Sequence, residues 1–314
     1  MKTVLVTGAI GSGKSAVCKY LSTKGYPVYD CDSRTKALYD SVPGLKDRIE
    51  DALGVPFEKI GIIFQDERKR HALESLVYPL VREDFIEWRS AQAIGMVFME
   101  SALALDKPLF DDLYDEVWLV EADYVTRLGR NPKVAGRDSL QNFDRSRADR
   151  IIVNDSTKED LYKQIDLIMK TDLARILSVS GQHGLYEYVA QARNGAIAES
   201  LAEKKRTVFT ASSRVTTLED IAIYTSEGEM KLAEVFTALH AFLGDKEAPS
   251  PKADGSELEN LFAGAIPNYD ADRFYVSHMR KVVDWYNQLA KYASLEFVTD
   301  EDRKAEAEAE SKAE

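Results

Sequence analysis

The residues best suited to chemistry lie in one glycine-rich stretch near the N-terminus. Gly8–Ser15 reads GAIGSGKS and fits the pattern G-x-x-x-x-G-K-[ST]. An apolar, β-branched run, Thr3–Thr7, precedes it, and a helical pattern follows from Ala16. In such a setting backbone N–H groups wrap a polyphosphate, Lys14 reaches the β- and γ-phosphates, and the Ser15 hydroxyl holds Mg²⁺. The pattern predicts nucleoside triphosphate binding and leaves the phosphate acceptor open.

We expect a nucleotide such as ATP to contact the whole loop and the residue after it: Gly8, Ala9, Ile10, Gly11, Ser12, Gly13, Lys14, Ser15 and Ala16. Small-molecule kinases, GTPases and ATPase motors all carry such loops. Thr157–Asp160 matches the guanine-reading [NT]-K-x-D of GTPases, but it stands where a helix should begin, so a helix N-cap is the favoured interpretation. Met96–Glu100 is an apolar run ending in an acid, which both motors and kinases place near Mg²⁺. Glu100 is therefore a candidate second metal ligand.

Two carboxylates end the next predicted strand. Pro27–Asp30 reads as a strand, and Asp30-Cys31-Asp32 follows beside the loop. Ligands of parallel α/β sheets bind at the carboxyl ends of strands, so an acceptor would lie there. Asp30 and Asp32 are candidate acceptor-binding residues, and a carboxylate in this place can take the proton of an attacking alcohol. The structural alternative is that Asp32 or Ser33 caps the helix that follows.

The elements that must position these groups alternate between strand and helix. Further strand candidates are Met96–Met99, Glu116–Val120 and Ile151–Val153, and residues 34–93 and 158–170 have helical patterns. This alternation over some 170 residues predicts a doubly wound, parallel α/β sheet, which we assign to a domain at residues 1–171.

Several short motifs accompany the loop in a fixed order. A strand ends in Asp-x-Asp about 18 residues after the loop, and later stretches are Phe64-Gln-Asp66, Leu73-Glu74, Tyr78-Pro79-Leu-Val81 and Arg147-Ala148-Asp149-Arg-Ile-Ile-Val-Asn154. Together they make residues 1–170 resemble the dephospho-coenzyme A kinase family. The resemblance implies transfer of phosphate from ATP to the ribose 3′-hydroxyl of dephospho-CoA. It also implies that Asp32 is the base, and that Lys14 and Ser15 are the ATP and Mg²⁺ groups.

The resemblance also suggests a lid, and this sequence departs from the family pattern at two places. Arg127 and Arg130 stand where family arginines reach phosphates, although a solvated helix face is the alternative for both. The segment from Arg127 to Gln141 is short for the family's helical lid, which places water exclusion in question. Tyr78 replaces the family histidine before proline. Another small-molecule P-loop kinase, or a catalytically weak nucleotide-sensing switch, therefore stay as alternative functions.

The pattern changes after residue 171. Short strand candidates are Ile176–Val179, Leu185–Gln191, Ala196–Leu201, Val208–Ala211 and Ile221–Tyr224, followed by a helix at Leu232–Phe242. Asn194–Gly195 predicts a hairpin between two of them. We expect a small antiparallel β domain with one helix at 172–243, a linker at 244–256, a helical pair at 257–297 and a charged, disordered tail at 298–314.

The C-terminal half resembles a small bacterial domain of unknown function over residues 174–292, which implies no activity. His183, His240 and His278 lack the spacing of metal ligands. Lys204–Arg206 is basic, but this half carries 16 basic and 25 acidic residues, which argues against nucleic acid. We expect an interaction or regulatory module. The apolar face of Val276–Tyr292 either packs on the β domain or mediates self-association.

The composition of the chain narrows the cellular locations that we expect for it. The net charge is −12, and no apolar run of 18 residues is present, so we expect no membrane segment. The N-terminus runs directly into the loop motif and does not read as a signal peptide. The two cysteines give no disulfide framework, so we expect a cytoplasmic protein.

Overall fold

Five parallel strands form the centre of the N-terminal half in this computed structural model, which describes residues 1–136, 143–210, 212–244 and 246–305, without the side chains of 62, 64 and 65. The strands are β1 (Lys2–Thr7), β2 (Val28–Asp30), β3 (Met96–Glu100), β4 (Glu116–Glu121) and β5 (Arg150–Val153). They pair in the order β2-β3-β1-β4-β5, and every pair is parallel. The predicted doubly wound α/β sheet is confirmed.

Helices connect these strands. They are α1 (Lys14–Thr23), α2 (Cys31–Ser41), α3 (Leu45–Leu53), α4 (Glu67–Ser90), α5 (Tyr124–Arg130) and α6 (Lys158–Met169). The central strand β1 and its neighbour β3 are almost wholly buried, as expected for strands covered on both faces by helices. Thr157 caps α6, because its hydroxyl accepts from the Asp160 N–H at 3.2 Å, so the N-cap interpretation of Thr157–Asp160 is confirmed.

The register of the sheet brings the predicted site together. Glu100, the last residue of β3, is paired with Asp30 of β2 on one side and with Val6 of β1 on the other. The loop that leaves β1 therefore starts beside both acids. Because parallel strands end at one common edge, residues 70 positions apart in sequence become neighbours.

The chain divides into two compact units, Met1–Ile165 and Asp166–Glu314. In the second unit a five-stranded antiparallel sheet has the order β10-β6-β7-β8-β9. Its strands are β6 (Ile176–Val179), β7 (Leu185–Ala192), β8 (Gly195–Ser200), β9 (Arg206–Thr210) and β10 (Val215–Thr217). β7 and β8 form the predicted hairpin at Asn194–Gly195.

This sheet must be strongly curved. Strands β9 and β10 lie at its opposite edges, yet only four residues separate Thr210 from Val215. In a flat sheet the two edge strands would lie about 19 Å apart. A connection of four residues, which extends at most about 3.6 Å per residue, could at best barely span that distance. The expected small barrel-like sheet is confirmed in this sense, although Ala211, the last residue of one predicted strand, lies outside the described residues.

For one predicted strand, the strand with which it pairs was predicted wrongly. The stretch Ile221–Tyr224 was expected to belong to the main sheet, but it corresponds to β11 (Ala222–Thr225), which forms a separate hairpin with β12 (Gly228–Lys231). The fifth strand of the sheet is instead β10, which carries the residues Val-Thr-Thr. A three-residue run is too short for its alternation to stand out in sequence.

The helices of this unit share its core. They are α7 (Leu232–Leu243), α8 (Gly255–Ala265) and α9 (Val276–Tyr292). Val283, Tyr286 and Leu289 of α9 are buried with Leu185 of the sheet and Phe236 of α7 in one apolar cluster. Packing, rather than self-association, therefore accounts for the apolar face of α9. The predicted β domain at 172–243 and helical pair at 257–297 are accordingly parts of one body.

The predicted linker 244–256 is not a free connection. The amide of Asn287 donates to the Pro249 carbonyl at 3.1 Å, and Arg280 donates to the Ala253 carbonyl at 3.2 Å, so α9 holds this stretch. Gly255 already begins α8. Position 245 of this segment lies outside the described residues.

The charged tail was also mispredicted in part. Residues 300–305 are helical, and the Arg303 guanidinium pairs with Asp172 at 2.7 Å and with Glu219 at 2.5 Å. Lys170 pairs with Asp302 at 2.7 Å. Residues 306–314 lie outside the described residues. Ion pairs to distant partners order a segment whose composition alone is typical of disorder.

Across the described ranges, no helix combines the length and the apolar character that crossing a bilayer requires.

Candidate active site

The glycine-rich loop forms a closed turn between β1 and α1. Gly13 precedes α1 with a φ of 104°, a left-handed conformation that favours glycine. A Cβ on Gly8 would lie 2.1 Å from the Val120 carbonyl oxygen of β4, so no larger residue fits there. The Lys14 ammonium donates to the Gly8 carbonyl at 2.8 Å and to the Ala9 carbonyl at 3.2 Å. The lysine thus lies across the hollow that its loop encloses.

Charge around Lys14 is balanced by acids. Burial lowers the pKa of Lys14, and the nearby charges of Glu100 and Asp32 act in the opposite direction. Glu100 in turn accepts a hydrogen bond from the Ser15 hydroxyl at 2.6 Å. Burial raises the pKa of Glu100, the Ser15 hydrogen bond opposes this, and the charge of Asp30 adds to the rise. A cation beside these carboxylates would relieve their repulsion.

The donor set at this point suits Mg²⁺. The Ser15 hydroxyl and the Glu100 carboxylate are adjacent oxygen groups, which is the chemistry that Mg²⁺ prefers. The described residues contain no cluster of three or more His, Cys, Asp or Glu side chains with metal-ligand geometry. Mg²⁺ at phosphoryl-transfer sites takes one or two protein ligands, and phosphates and water supply the rest. Ser15 and Glu100 therefore fit the ion.

The two aspartates after β2 have different environments. Asp30 is the N-cap of α2, and its carboxylate accepts from the Asp32 N–H at 3.0 Å and the Ser33 N–H at 3.3 Å. The structural alternative, in which Asp32 or Ser33 caps this helix, was wrong, because α2 begins at Cys31, directly after the strand. Asp32 is exposed, and no donor among the described residues bonds its carboxylate. Its charge is therefore available for a ligand.

The two arginines of α5 have distinct partners. The Arg127 Nε donates to the Ala122 carbonyl at 3.0 Å, and its guanidinium lies 5.9 Å from the Tyr124 ring centroid. Arg130 instead faces the glycine-rich loop, with Nη1 3.4 Å from the carbonyl oxygens of both Gly11 and Ser12. Neither side chain is simply a solvated part of a helix face. The end of the predicted lid, including Gln141, lies outside the described residues.

Asn154 is a site residue to which the sequence assigned no role. It follows β5, is 6% exposed, and its amide donates to the Ser12 carbonyl at 2.8 Å. Arg130 Nη2 donates to the Asn154 carbonyl at 2.8 Å. Two signals could have identified it: its position at the carboxyl end of a strand beside the loop, and its place as the last residue of the motif Arg147–Asn154.

Tyr78 lies on α4, among charged groups. Its pKa is raised by burial and by the nearby Glu74 carboxylate. Lys107 pairs with Glu74 at 2.8 Å and its ammonium lies 5.7 Å from the Tyr78 ring centroid. Phe110 packs against the same ring at a centroid distance of 5.5 Å. Where the family has a histidine, this chain thus has a phenol surrounded by Glu74, Lys107 and Phe110.

Comparison with known families assigns both halves. A model described as dephospho-CoA kinase matches residues 2–174. The chain belongs to the dephospho-CoA kinase family. It is therefore a kinase, and the family resemblance found in the sequence is confirmed. Two models of domains of unknown function match residues 173–218 and 221–289, in agreement with the resemblance found for the C-terminal half.

Individual relatives carry the same name. The dephospho-CoA kinase of Shouchella clausii is 30% identical over 194 residues, which cover 53% of this chain and 96% of that protein. That of Porphyromonas gingivalis is 35% identical over 131 residues, covering 39% of this chain and 64% of that protein, just under two thirds of its length.

Two solved structures are also similar. TT1252 from Thermus thermophilus is 28% identical, covers 53% of this chain and 95% of that one, and gives a TM-score of 0.46. A solution NMR structure from Bacteroides vulgatus is 37% identical, covers 38% of this chain and 87% of that one, and gives a TM-score of 0.34.

Proposed function

We propose that this kinase transfers the γ-phosphoryl group of ATP to the ribose 3′-hydroxyl of dephospho-CoA, giving ADP and coenzyme A. The observation that carries the proposal is the division of tasks between two aspartates. Asp30 is occupied as the cap of α2, whereas the Asp32 carboxylate beside it has no donor among the described residues. Membership of the dephospho-CoA kinase family supports the choice of acceptor.

In the proposed reaction the glycine-rich loop binds the polyphosphate through its N–H groups. Lys14 leaves the carbonyls of Gly8 and Ala9, to which it now donates, and neutralises the β- and γ-phosphate oxygens. Ser15 and Glu100 would hold Mg²⁺, which supplies further positive charge to the same oxygens when bound.

Asp32 orients the 3′-hydroxyl and accepts its proton while the hydroxyl oxygen bonds to the γ-phosphorus. The bond from that phosphorus to the bridging oxygen breaks, and ADP leaves with the electron pair. The environment of Asp32 supports this assignment, since its carboxylate is exposed and accepts from no described donor, which leaves its oxygens open to an acceptor hydroxyl. Asp30 contributes to acceptor binding mainly by fixing the start of α2.

An ADP-release assay with a panel of acceptors tests the proposal. ADP release should require dephospho-CoA, and coenzyme A itself should give none, because its 3′-position already carries phosphate. Release with a different alcohol in place of dephospho-CoA would identify another small-molecule kinase. Nucleotide binding with no release for any acceptor would identify a nucleotide-sensing switch and refute the proposed reaction.

We further propose that the C-terminal unit is an interaction or regulatory module. Its described residues contain no metal-ligating cluster, and aromatic side chains such as Phe236, Phe262 and Tyr286 pack in its own core. Comparison of kcat and KM between the full chain and a chain that ends near Thr171 tests this. Equal constants would leave interaction as its role, and changed constants would indicate regulation. A cytoplasmic location stays a prediction, and the described cysteines, Cys18 and Cys31, are both unpaired.

A further inference from the structure

Two side chains outside the glycine-rich loop form hydrogen bonds to its backbone carbonyls. The Asn154 amide donates to the Ser12 carbonyl at 2.8 Å, and Arg130 Nη1 lies 3.4 Å from the Ser12 and Gly11 carbonyl oxygens. Arg130 Nη2 also donates to the Asn154 carbonyl at 2.8 Å. The arginine and the asparagine therefore bind one another as well as the loop.

The contact is close enough to fix the loop. A Cβ built on Gly13 would lie 2.0 Å from the Asn154 Nδ2 atom, so the loop leaves no space between itself and this amide. Ser12 is fully buried and Asn154 is 6% exposed. A buried hydrogen bond between such groups is costly to break, because a buried amide or carbonyl that loses a partner is not compensated by water.

The direction of these bonds determines what the loop presents. In a planar trans peptide the carbonyl of one residue points opposite to the N–H of the next. When the Ser12 carbonyl is held by Asn154 and Arg130, the N–H group of Gly13 is turned to the opposite side, while the Ser12 N–H donates to the Ala9 carbonyl at 3.1 Å within the loop. A phosphate-binding loop works by aiming successive N–H groups at the anion. Preorganised N–H groups do not need to reorient when the anion arrives.

We propose that Asn154 and Arg130 are positioning residues that preorganise the glycine-rich loop for the phosphates of the nucleotide. Both act through the loop backbone. For Arg130 this differs from the direct phosphate contact that the sequence suggested. The proposal rests on the proposed function in requiring a nucleotide at the loop, but it is independent of the acceptor.

The test is equilibrium binding of ADP and ATP to the full chain, without acceptor. Asn154→Ala should weaken both nucleotides about tenfold, the loss expected for one buried hydrogen bond. Arg130→Lys, at an exposed position, is a second variant with little risk to folding, and it too should weaken ADP and ATP by equal factors. In the double variant the losses should be less than multiplicative, because both side chains act on the Ser12 carbonyl.

Gln164 of α6 supplies a matched control, because its side chain bonds to the backbone of β5, the strand that Asn154 follows. Its amide donates to the Val153 carbonyl at 2.8 Å and its oxygen accepts from the Val153 N–H at 3.1 Å, so it also binds β5 backbone through an amide. Gln164→Ala should leave nucleotide affinity unchanged. Amide hydrogen exchange should accelerate at Ser12 and Gly13 in Asn154→Ala and stay slow in Gln164→Ala.

Three results would overturn the proposal. Unchanged ADP affinity in both Asn154→Ala and Arg130→Lys would show that the loop does not need these bonds. An equal loss in Gln164→Ala would trace the effect to the stability of β5. If Arg130→Lys weakened ATP but not ADP, the arginine would act on the γ-phosphate directly. Failure of ADP release with dephospho-CoA would refute the proposed acceptor, yet leave these binding results interpretable.

Discussion

Replacing Asp32 by asparagine separates proton transfer from every other task at the end of β2. Asparagine keeps the size of the side chain and removes its ability to take a proton. The matched control is Asp30→Asn, the same change two residues earlier, where asparagine caps a helix as well as aspartate does. We expect Asp32→Asn to lose most of its turnover, and Asp30→Asn to keep kcat within about tenfold of the unaltered enzyme.

The magnitudes follow from the contacts. Removal of a general base costs about 10²–10⁴ in kcat, or about 3–5 kcal/mol of transition-state stabilisation. The stability cost is much smaller, because Asp32 is exposed and no described group donates to it. Its charge in the first turn of α2 is worth about 0.3–1 kcal/mol through the helix dipole. Activity and stability should therefore separate clearly in this variant.

Steady-state ADP release gives kcat and the KM for each substrate, and thermal unfolding gives stability. Asp32→Asn should unfold within a few degrees of the unaltered protein and keep its affinity for ATP. If Asp32→Asn were mild and Asp30→Asn abolished turnover, the two assignments would have to be exchanged. If both variants kept near-normal kcat, a carboxylate base at this strand end would be refuted.

Three further expectations can be tested. Lys14→Ala should abolish ADP release without loss of folding, because within the described residues the Lys14 ammonium donates to the loop carbonyls of Gly8 and Ala9; near-normal turnover would refute this role for the loop. Burial opposes ionisation of Asp84, but hydrogen bonds from Arg34 and Tyr29 outweigh it and hold its pKa below the ordinary value. Asp84→Asn should therefore destabilise its unit by about 1–3 kcal/mol at pH 7, and the difference should vanish as the pH falls through that lowered pKa; a constant difference in unfolding by denaturant would contradict this. Gly195→Ala would place Cβ 1.9 Å from the Phe209 carbonyl oxygen and should cost about 2 kcal/mol more than a glycine-to-alanine change in open space, measured by hydrogen exchange of the hairpin.

Local signals were strong enough to predict the N-terminal sheet. Thr3–Thr7 and Met96–Met99 are continuous apolar runs, as expected for strands buried on both faces, and each lies within an observed strand. Since parallel strands end at one edge, the meeting of the loop, Asp30 and Glu100 could be predicted as well. These inferences needed the sequence of each segment and one general rule of topology.

The rest of the site depends on contacts between distant residues. Whether Asp30 or Asp32 caps α2 depends on the residue at which α2 begins, and patterns place such boundaries only to within a few residues. Asn154 and Arg130 meet Ser12 across 142 and 118 positions, which no spacing rule anticipates. The order of residues 300–305 likewise depends on partners such as Asp172, far away in sequence.

The pairing of Thr171 with the segment after α9 has a consequence during synthesis. Thr171 accepts from Val298 and donates to Glu296 through its backbone, and its hydroxyl bonds to Ser294. The N-terminus of a chain emerges from the ribosome first, so residues 1–165 can fold while the rest is still being synthesised. Thr171 then waits for partners more than 120 positions later. The second unit can be completed only at the end of translation. A chain that stopped before residue 294 would leave Thr171 without these partners and the core of the second unit exposed.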